Sequence, residues 1–485
     1  MNGDKPVSAY YVDSVKSYAL EDITVADASS LARTVGGTAV GNFTEWFDFG
    51  VYSFLTVIIS KVFFAGAGWG TVAAFAGLAV SFVMRPVGGM FWGFLGDRIG
   101  RKQILAWTVI LMASGTFALG LLPGYATIGL WAPVLLFVLR AVQGFSTGGE
   151  YVGAMTFMVE HAPDRRRGYL LSFLPVGTLS GYILGALIVV LVKHVLPHAA
   201  LYAWGWRVPF LLAAPLGLIG LYVRLRLEES PVYEKAVERR QGDTQRGWRQ
   251  VKATVVSQWR PILVCMGLVL TFNVTDYMLT GYMPTYLEDS LHAGNPLIIV
   301  VLVMVVIGLL VTLLGRLSDR TGRKPVMYVG SILLIVVSVP MFLLMFRGGD
   351  LMVFLGTLPM GLILLCFMAT EPSTLPTLFP TEVRSGATAV GFNVSVSAFG
   401  GTTPLIADAL VKGTGDLLMP AYILIVAGVV GIASLWFTRE PVGKPLPGSG
   451  PTVATEGQAH RLAAYFRRRK RHHKASSGPS DGTPP

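Results

Sequence analysis

The chain has 485 residues, of which 53% are hydrophobic and only 14% are charged. A soluble protein needs more polar residues than this to cover its surface, so the composition excludes an ordinary soluble domain and predicts a membrane protein. The formal net charge of +11 requires no nucleic-acid partner, because basic loops that face anionic lipid account for it.

Apolar stretches and charged segments alternate in a regular order along the chain. Residues 1–30 are mixed and polar without a signal-peptide pattern, which indicates a cytoplasmic N-terminal segment. Residues 31–226 and 261–438 each contain six apolar stretches long enough to cross a bilayer. Between them, the charge-rich residues 227–260 predict a cytoplasmic linker. Residues 439–485 are rich in Pro, Gly, Ser and Thr and contain a basic cluster, which predicts a disordered cytoplasmic tail.

The fold predicted from these stretches is an all-α membrane protein with twelve transmembrane helices in two six-helix bundles. Placing both termini in the cytoplasm puts most of the 39 Lys and Arg residues on the inner side, in accord with the positive-inside rule. We therefore expect a multi-pass protein of the plasma membrane, or of the inner membrane where there are two. The predicted spans are residues 36–60, 70–95, 103–122, 130–158, 168–193, 205–226, 261–288, 296–315, 325–346, 351–378, 384–411 and 418–438.

A G-x-x-x-D-x-x-G-R-K sequence occurs at Gly93–Lys102 and again at Gly315–Lys324. Each copy lies between apolar stretches and predicts a tight basic turn between helices, since glycine lets the backbone reverse and the charges need water. Two copies indicate two related halves, which is typical of transporters. The charged residues of these turns are candidates for a conformational gate that joins the halves: Asp97, Arg98, Arg101, Asp319, Arg320 and Arg323.

Ionisable residues inside predicted spans are the main functional candidates, because a charge in the membrane persists only when it is paired or hydrated. In the first span, Glu45 and Asp48 lie three residues apart and share a helix face with Asn42 and Tyr52. Repulsion between two carboxylates favours protonation of one of them, as a proton-coupled carrier requires. The alternative is that one acid only holds a neighbouring helix through a salt bridge.

The second and fourth spans extend this polar surface. Arg85 lies midway along the second span and needs a carboxylate partner. The fourth span carries Gln143, Glu150 and Tyr151. The glycines between them are more typical of close helix packing than of solute binding. We expect Glu45, Asp48, Arg85 and Glu150 to serve proton coupling.

The second half has fewer ionisable residues within its spans. Asp276 and Glu371 could hold a cationic group together with aromatic rings, although aromatic residues in membrane helices more often serve packing. The candidates for solute binding, taken over both halves, are Asn42, Tyr52, Gln143, Tyr151, Asn273, Asp276, Tyr277, Glu371 and Asn393.

Enzyme motifs of the Walker, HExxH, GxSxG and CxxC types do not occur in the sequence, and the two cysteines lie in predicted spans without metal-ligand spacing. We therefore expect no enzyme activity, no cofactor and no metal site. A secondary carrier is the favoured interpretation. The alternatives are a channel, for which a filter sequence is missing, and a transporter-like receptor, for which a sensor domain is missing.

Several longer sequences resemble the metabolite:proton symporter branch of the major facilitator superfamily, and most closely its proline/betaine transporters. They are Gly41–Tyr52, Arg85–Gly89, Gln143–Tyr151, Trp204–Phe210 and Phe379–Arg384. The resemblance implies proton-coupled uptake of proline, glycine betaine or related compatible solutes. Asp276 and Glu371 depart from it, because similar transporters carry an uncharged aromatic and an apolar residue there.

The mechanism predicted from these observations is a rocker switch with the solute bound between the halves. A proton would occupy the Glu45, Asp48 and Glu150 group, and Arg85 would compete with it. A zwitterion would place its carboxylate at Arg85 and its ammonium group near Asp276 or Glu371. A dicarboxylate or other organic acid is the alternative solute. Because the tail shows no heptad pattern, we expect a monomer.

Overall fold

The computed structural model describes residues 18–64, 70–226, 256–294 and 296–476. Within these ranges the two bundles contain twelve long helices, six in each half of the chain, which confirms the predicted all-α fold. They are α1 (Ala28–Phe63), α2 (Gly70–Ile99), α3 (Arg101–Leu121), α4 (Trp131–His161), α5 (Arg167–Val195), α6 (His198–Leu225), α7 (Trp259–Glu288), α8 (Pro296–Thr321), α9 (Arg323–Met345), α10 (Asp350–Leu378), α11 (Arg384–Thr414) and α12 (Met419–Phe437).

Ten of these helices are apolar enough over a sufficient length to cross a membrane. The other two, α2 and α4, have 30 and 31 residues and carry glycines and polar side chains through their middle. Several helices are locally irregular. A π-helical turn interrupts α7 at Met278–Tyr282 and α11 at Val396–Gly400, and the last part of α10 consists of a short helix at Glu371–Thr374 and a 3₁₀ turn at Leu375–Leu378. Such irregularities are typical of functional sites in membrane helices.

The two repeated sequences form equivalent tight turns, between α2 and α3 and between α8 and α9. Gly100 and Gly322 have φ angles of 104° and 103°, which residues with a side chain rarely adopt. The turns lie at the same end of the two bundles, which we call the motif end. Side chains of Asp97, Arg98 and Arg101, which the sequence predicted at this gate, lie outside the described part of the structure.

Close helix contacts hold each bundle together. α1 packs along α5, and α2 packs along α4. A Cβ atom at Gly144 or Gly148 would collide with the backbone of α2 at Ser81 or Arg85, so these glycines permit the approach. The halves meet where α2 contacts α11 and where α5 contacts α8.

At the motif end, charged side chains of the two halves are joined directly. Asp319 of α8 accepts hydrogen bonds from the backbone N–H groups of Gly168 and Tyr169 at 2.7 and 2.8 Å. Arg384 of α11 pairs with Glu160 of α4 at 2.8 Å, and both side chains are buried. This end of the molecule is therefore closed.

The prediction of a disordered tail at residues 439–485 is wrong for its described part. A short strand, β2 (Thr452–Val453), pairs in parallel with β1 (Thr24–Val25), and a helix α13 (Glu456–Ser476) follows. The sequence interpretation missed a helical apolar stripe, because turn-forming residues surround it. The stripe packs with Ile23 and Val453, and its members are Ala459, Leu462, Ala463 and Phe466. The predicted linker falls largely on residues 227–255, outside the described ranges.

Gly322→Ala should destabilise the protein by about 1–3 kcal/mol, because its backbone angle is strained for alanine. In addition, a Cβ atom there would lie 2.9 Å from Glu440 Oε2 and from Pro325 Cδ. Thermal unfolding of the purified protein measures the change. Gly457→Ala is the control, since a Cβ atom would contact nothing within 4 Å there. Equal unfolding temperatures for the two variants would contradict the prediction.

Candidate substrate and proton site

A narrow cavity lies between the two halves, midway along the helices. Helices α1, α2, α4 and α5 of the first half and α7, α10 and α11 of the second contribute its walls. Five of the twelve lining side chains are aromatic, and three are acidic or basic. They are Glu45, Trp46, Arg85, Tyr151, Thr178, Phe272, Asn273, Asp276, Tyr277, Met368, Phe392 and Val396.

The structure separates the sequence-predicted residues into two sets. Six line the cavity: Glu45, Arg85, Tyr151, Asn273, Asp276 and Tyr277. The others lie outside its lining and are mostly bonded elsewhere: Asn42, Asp48, Tyr52, Gln143, Glu150, Glu371 and Asn393.

Glu45 and Arg85 form a buried salt bridge on the first-half wall of the cavity. Their Oε1 and Nη2 atoms are 3.1 Å apart, and the side chains are only 1% and 4% exposed. The Arg85 guanidinium lies over the rings of Phe49 and Phe82, at 4.9 and 5.2 Å. Glu45 Oε2 has no hydrogen-bond partner in the described residues. This carboxylate can therefore take a proton or another donor without losing an existing bond at that oxygen.

Asp48 belongs to a separate network behind the cavity wall. Arg140 approaches Asp48 at 3.3 Å, and Gln143 donates to Asp48 at 3.2 Å. The same Gln143 amide donates to Thr116 at 2.8 Å, while Arg140 stacks 4.1 Å from the ring centroid of Tyr52. Asp48, Tyr52 and Gln143 thus hold α1, α3 and α4 together.

Glu150 has a third, different arginine. Both of its oxygens accept from Arg224 of α6, and Thr108 donates to it at 2.6 Å. Gly41 of α1 lies against the Arg224 guanidinium, where a Cβ atom would collide. The expectation of one shared carboxylate group with Arg85 as competitor is therefore wrong in its geometry, because each of the three acids has its own arginine.

The second-half wall holds an acid without such a partner. Asp276 is 5% exposed and lines the cavity, and it forms no ion pair among the described residues. Near it, Asn273 Nδ2 and the Tyr277 hydroxyl also lack hydrogen-bond partners there. Glu371 is 3% exposed and begins the short helix Glu371–Thr374 of α10, outside the cavity lining. The wall can therefore offer one carboxylate and two neutral polar groups.

Two predicted residues connect helices rather than face the cavity. Asn42 donates to the Leu174 carbonyl at 2.8 Å and to the Thr178 hydroxyl, which joins α1 to α5. Asn393 of α11 donates to the Gly148 carbonyl of α4 at 2.8 Å, which joins the two halves. Beside it, Tyr151 and Phe392 stack across the interface with ring centroids 5.1 Å apart.

Of the described gate candidates, two are engaged and one is exposed. Asp319 bonds α5 as described above and also pairs with Arg323 at 3.1 Å. Arg323 donates to the Ser373 carbonyl at 3.2 Å, and Arg320 is exposed.

Sequence reasoning missed the roles of Arg140, Arg224 and the Glu160–Arg384 pair. The signal was present, since an arginine within an apolar stretch requires a carboxylate. Which carboxylate it meets depends on helix packing. Among the described residues, no group of three or more His, Cys, Asp or Glu side chains could hold a metal ion.

Comparison with known proteins places these features in context. The sequence profile of the Major Facilitator Superfamily matches residues 38–403. The glycine betaine/proline/ectoine/pipecolic acid transporter OusA of Dickeya dadantii is 43% identical over 92% of this chain and 91% of its own. The proline/betaine transporter of Escherichia coli K12 is 42% identical over the same shares. These relatives confirm the resemblance inferred from the sequence.

Solved structures show the same fold. The proton:xylose symporter XylE, bound to 6-bromo-6-deoxy-D-glucose, superposes with a TM-score of 0.70. The alignment covers 86% of this chain and 98% of that protein, at 16% sequence identity. At this identity the likeness concerns the fold alone.

A double-mutant cycle should show that Asp48 and Arg140 stabilise α1 against α4 as a pair. Asp48→Asn alone leaves a buried arginine uncompensated and should cost about 3–5 kcal/mol. Combining it with Arg140→Met should recover much of that loss in thermal unfolding. The exposed Lys412–Asp408 pair, at 2.8 Å, is the matched control and should give a coupling below about 1 kcal/mol. Additive losses at residues 48 and 140 would contradict the pairing.

Proposed function

Since the chain belongs to the major facilitator superfamily, we propose that it is a secondary transporter that carries a small zwitterionic compatible solute together with protons. The family and the relatives make it a membrane transporter and not an enzyme. Proline, glycine betaine and similar molecules are the proposed solutes, as the names of the relatives suggest. The observation that carries the proposal is a central cavity with Glu45–Arg85 on one half and Asp276 on the other.

Charge placement in the cavity suits a zwitterion. The carboxylate of such a solute would bind Arg85, because guanidinium groups pair well with carboxylates. Its ammonium group would face Asp276 and the aromatic rings of the second half. One solute molecule would then contact both halves and draw them together.

Competition at Arg85 would couple the solute to the proton. While Glu45 is ionised, it occupies the Arg85 guanidinium at 3.1 Å. A proton on Glu45 weakens that pair and frees Arg85 for the carboxylate of the solute. Solute and proton therefore favour each other's binding, which is the requirement for symport. We assign coupling to Glu45 in preference to Asp48 and Glu150, because those two acids are held by separate arginines behind the wall.

Alternating access would require the contacts that close the motif end to break. Release of the solute there requires that Asp319 leave the N-terminus of α5 and that Glu160 separate from Arg384. Both sets of contacts join the two halves, so a rocking motion of one bundle against the other breaks them together.

We further place the protein in the plasma membrane, with the motif end and both termini in the cytoplasm. Lys and Arg residues concentrate at the motif-end turns and in the terminal segments, in accord with the positive-inside rule. The partners in this proposal are the bilayer, a small solute and protons. It includes no cofactor, no nucleic acid and no second subunit.

Uptake of labelled proline, glycine betaine and 2-oxoglutarate into proteoliposomes tests the function. We expect the first two to accumulate only when a proton gradient is imposed. Accumulation of 2-oxoglutarate instead would indicate an organic-acid symporter, in which Arg85 holds an anionic group. Rapid equilibration of solutes without accumulation would indicate a channel.

Glu45→Gln should abolish gradient-driven accumulation, because the amide cannot release a proton. Exchange of labelled for unlabelled solute across the membrane should persist, since exchange needs no net proton movement. Asp408→Asn changes an exposed acid at the end of α11 and is the control, with both activities expected to remain. Concentrative uptake at the normal rate by Glu45→Gln would refute the assignment.

Asp319→Asn should weaken the closed motif end, because an amide oxygen binds the N–H groups of Gly168 and Tyr169 less strongly than a carboxylate. A cysteine at the buried Ser172 reports the change, and its labelling by a maleimide should become faster. Ser172→Cys without the second substitution is the reference. Unchanged labelling with weaker solute binding would point to a local effect on binding instead.

A further inference from the structure

Asp276 is a buried carboxylate that faces the cavity, and the described part of the chain offers it no compensating charge. The other two charged groups that line the cavity are Glu45 and Arg85, which pair with each other at 3.1 Å. From α10, Glu371 adds a further acid behind the wall and no positive charge. A buried ion is tolerated only with a partner or water. The described part of the cavity therefore has an excess of negative charge on its second-half side.

Aromatic rings surround the same side of the cavity. Phe272, Tyr277 and Phe392 line it together with Asp276, and Trp46 of α1 faces the cavity from the first half. Ring faces attract quaternary ammonium groups, and a carboxylate beside them adds direct attraction between opposite charges. Asn273 and Tyr277 each have an unused polar group in reach of this space.

We propose that Asp276 and these rings form a cation subsite through which the protein also binds quaternary ammonium solutes that carry a net positive charge. The proposal rests on the function proposed above and extends its substrate class. A zwitterion must take Arg85 from Glu45, whereas a cation without a carboxylate can bind while the Glu45–Arg85 pair remains intact.

The two classes of solute should therefore differ in their dependence on protons. Besides Arg85 of α2, the charged groups around Glu45 are Asp48 on its own helix, Glu150 of α4 and Arg224 of α6, and the last two pair with each other. A zwitterion binds when Glu45 is protonated, so its affinity falls as the pH rises. A cation satisfies Asp276 without requiring that proton.

Equilibrium binding of labelled glycine betaine and labelled choline to the purified protein tests this difference. Above the pH at which Glu45 loses its proton, betaine affinity should fall by about tenfold per pH unit, whereas choline affinity should not fall, because choline binds the ionised carboxylate of Asp276. Asp276→Asn preserves the side-chain shape and should weaken choline binding by about tenfold or more. Asp408→Asn should leave both affinities unchanged.

The outcomes separate the two proposals. Transport of betaine without detectable choline binding, or equal choline binding by Asp276→Asn and the parent protein, would overturn the cation subsite and leave the symport proposal standing. Choline binding that depends on Asp276, in a protein that transports neither betaine nor proline, would support the subsite and refute the proposed zwitterion transport.

A second observation concerns the segment 440–466, which we call the strap. It follows the second half in sequence, yet its Lys444 carbonyl accepts from Arg167 of the first half at 2.9 Å. Thr452 exchanges backbone and side-chain hydrogen bonds with Asp164, also of the first half. The Pro447 carbonyl accepts from Arg384 at 2.9 Å, the same arginine that pairs with Glu160. The strap thus crosses the closed motif end.

We infer that the strap is a latch that must leave the first half whenever the motif end opens. Its pairing with β1 places Thr24 opposite Thr452, so one end of the strap is held by the segment that precedes α1. The apolar stripe of α13 packs on Ile23 and so stabilises the pairing of β1 with β2. Opening of the halves would separate these partners.

A disulfide between Thr24→Cys and Thr452→Cys tests the latch. The oxidised double variant should lose at least about nine-tenths of its transport, because a disulfide would keep the strap bound to β1. A reductant should restore transport. Each single variant under the same oxidant is the control. A gel measures the fraction of protein that is cross-linked. Full transport by completely cross-linked protein would overturn the inference.

Leu462→Asp gives an independent measurement, because a charge in the apolar stripe should release the strap. A buried charge without a partner is costly, so the strap should leave its site more often. Labelling of a cysteine at Ser172 should then become at least about threefold faster. Ala464→Asp on the exposed face of α13 is the matched control. Equal labelling rates in the two variants would contradict a latch.

Discussion

Pairing of buried charges is the constraint on which the rest of this structure depends. Three carboxylates within helices of the first half each meet a separate arginine of the same half: Glu45 with Arg85, Asp48 with Arg140 and Glu150 with Arg224. An unpaired charge in this environment would cost several kcal/mol. The pairs therefore fix how the helices of the half are oriented around their axes.

Position decides which of these pairs can take part in transport. The Asp48 and Glu150 pairs lie behind the cavity wall with additional donors at both acids. Only the Glu45–Arg85 pair lies on the wall, and Glu45 keeps one oxygen without a partner in the described residues. The Asp48 and Glu150 ion pairs therefore hold helices together, whereas the Glu45–Arg85 ion pair can break during transport. Asp276 completes the cavity as an acid that has no cationic partner among the residues described by the structure.

The two halves are joined by contacts beside the cavity and by contacts at the motif end. Asn393 and the Tyr151–Phe392 stack join the halves beside the cavity, while Asp319, Glu160–Arg384 and the strap join them at the motif end. Apart from the aromatic stack, the contacts named here are hydrogen bonds and ion pairs, set among apolar side chains of both halves. Water can replace such contacts when an end of the molecule opens, which suits an interface that must change.

The sequence alone determined the fold, because spans of apolar residues and a duplicated turn sequence depend on local composition and the thickness of the bilayer. It also identified Glu45, Arg85 and Asp276 as intramembrane charges that need an explanation. The tertiary structure alone decided which charges pair, since a helix of known sequence can still rotate about its axis. It also decided that the tail is ordered. The four apolar residues of α13 are too few to predict burial until β1 and the motif end are placed beside them.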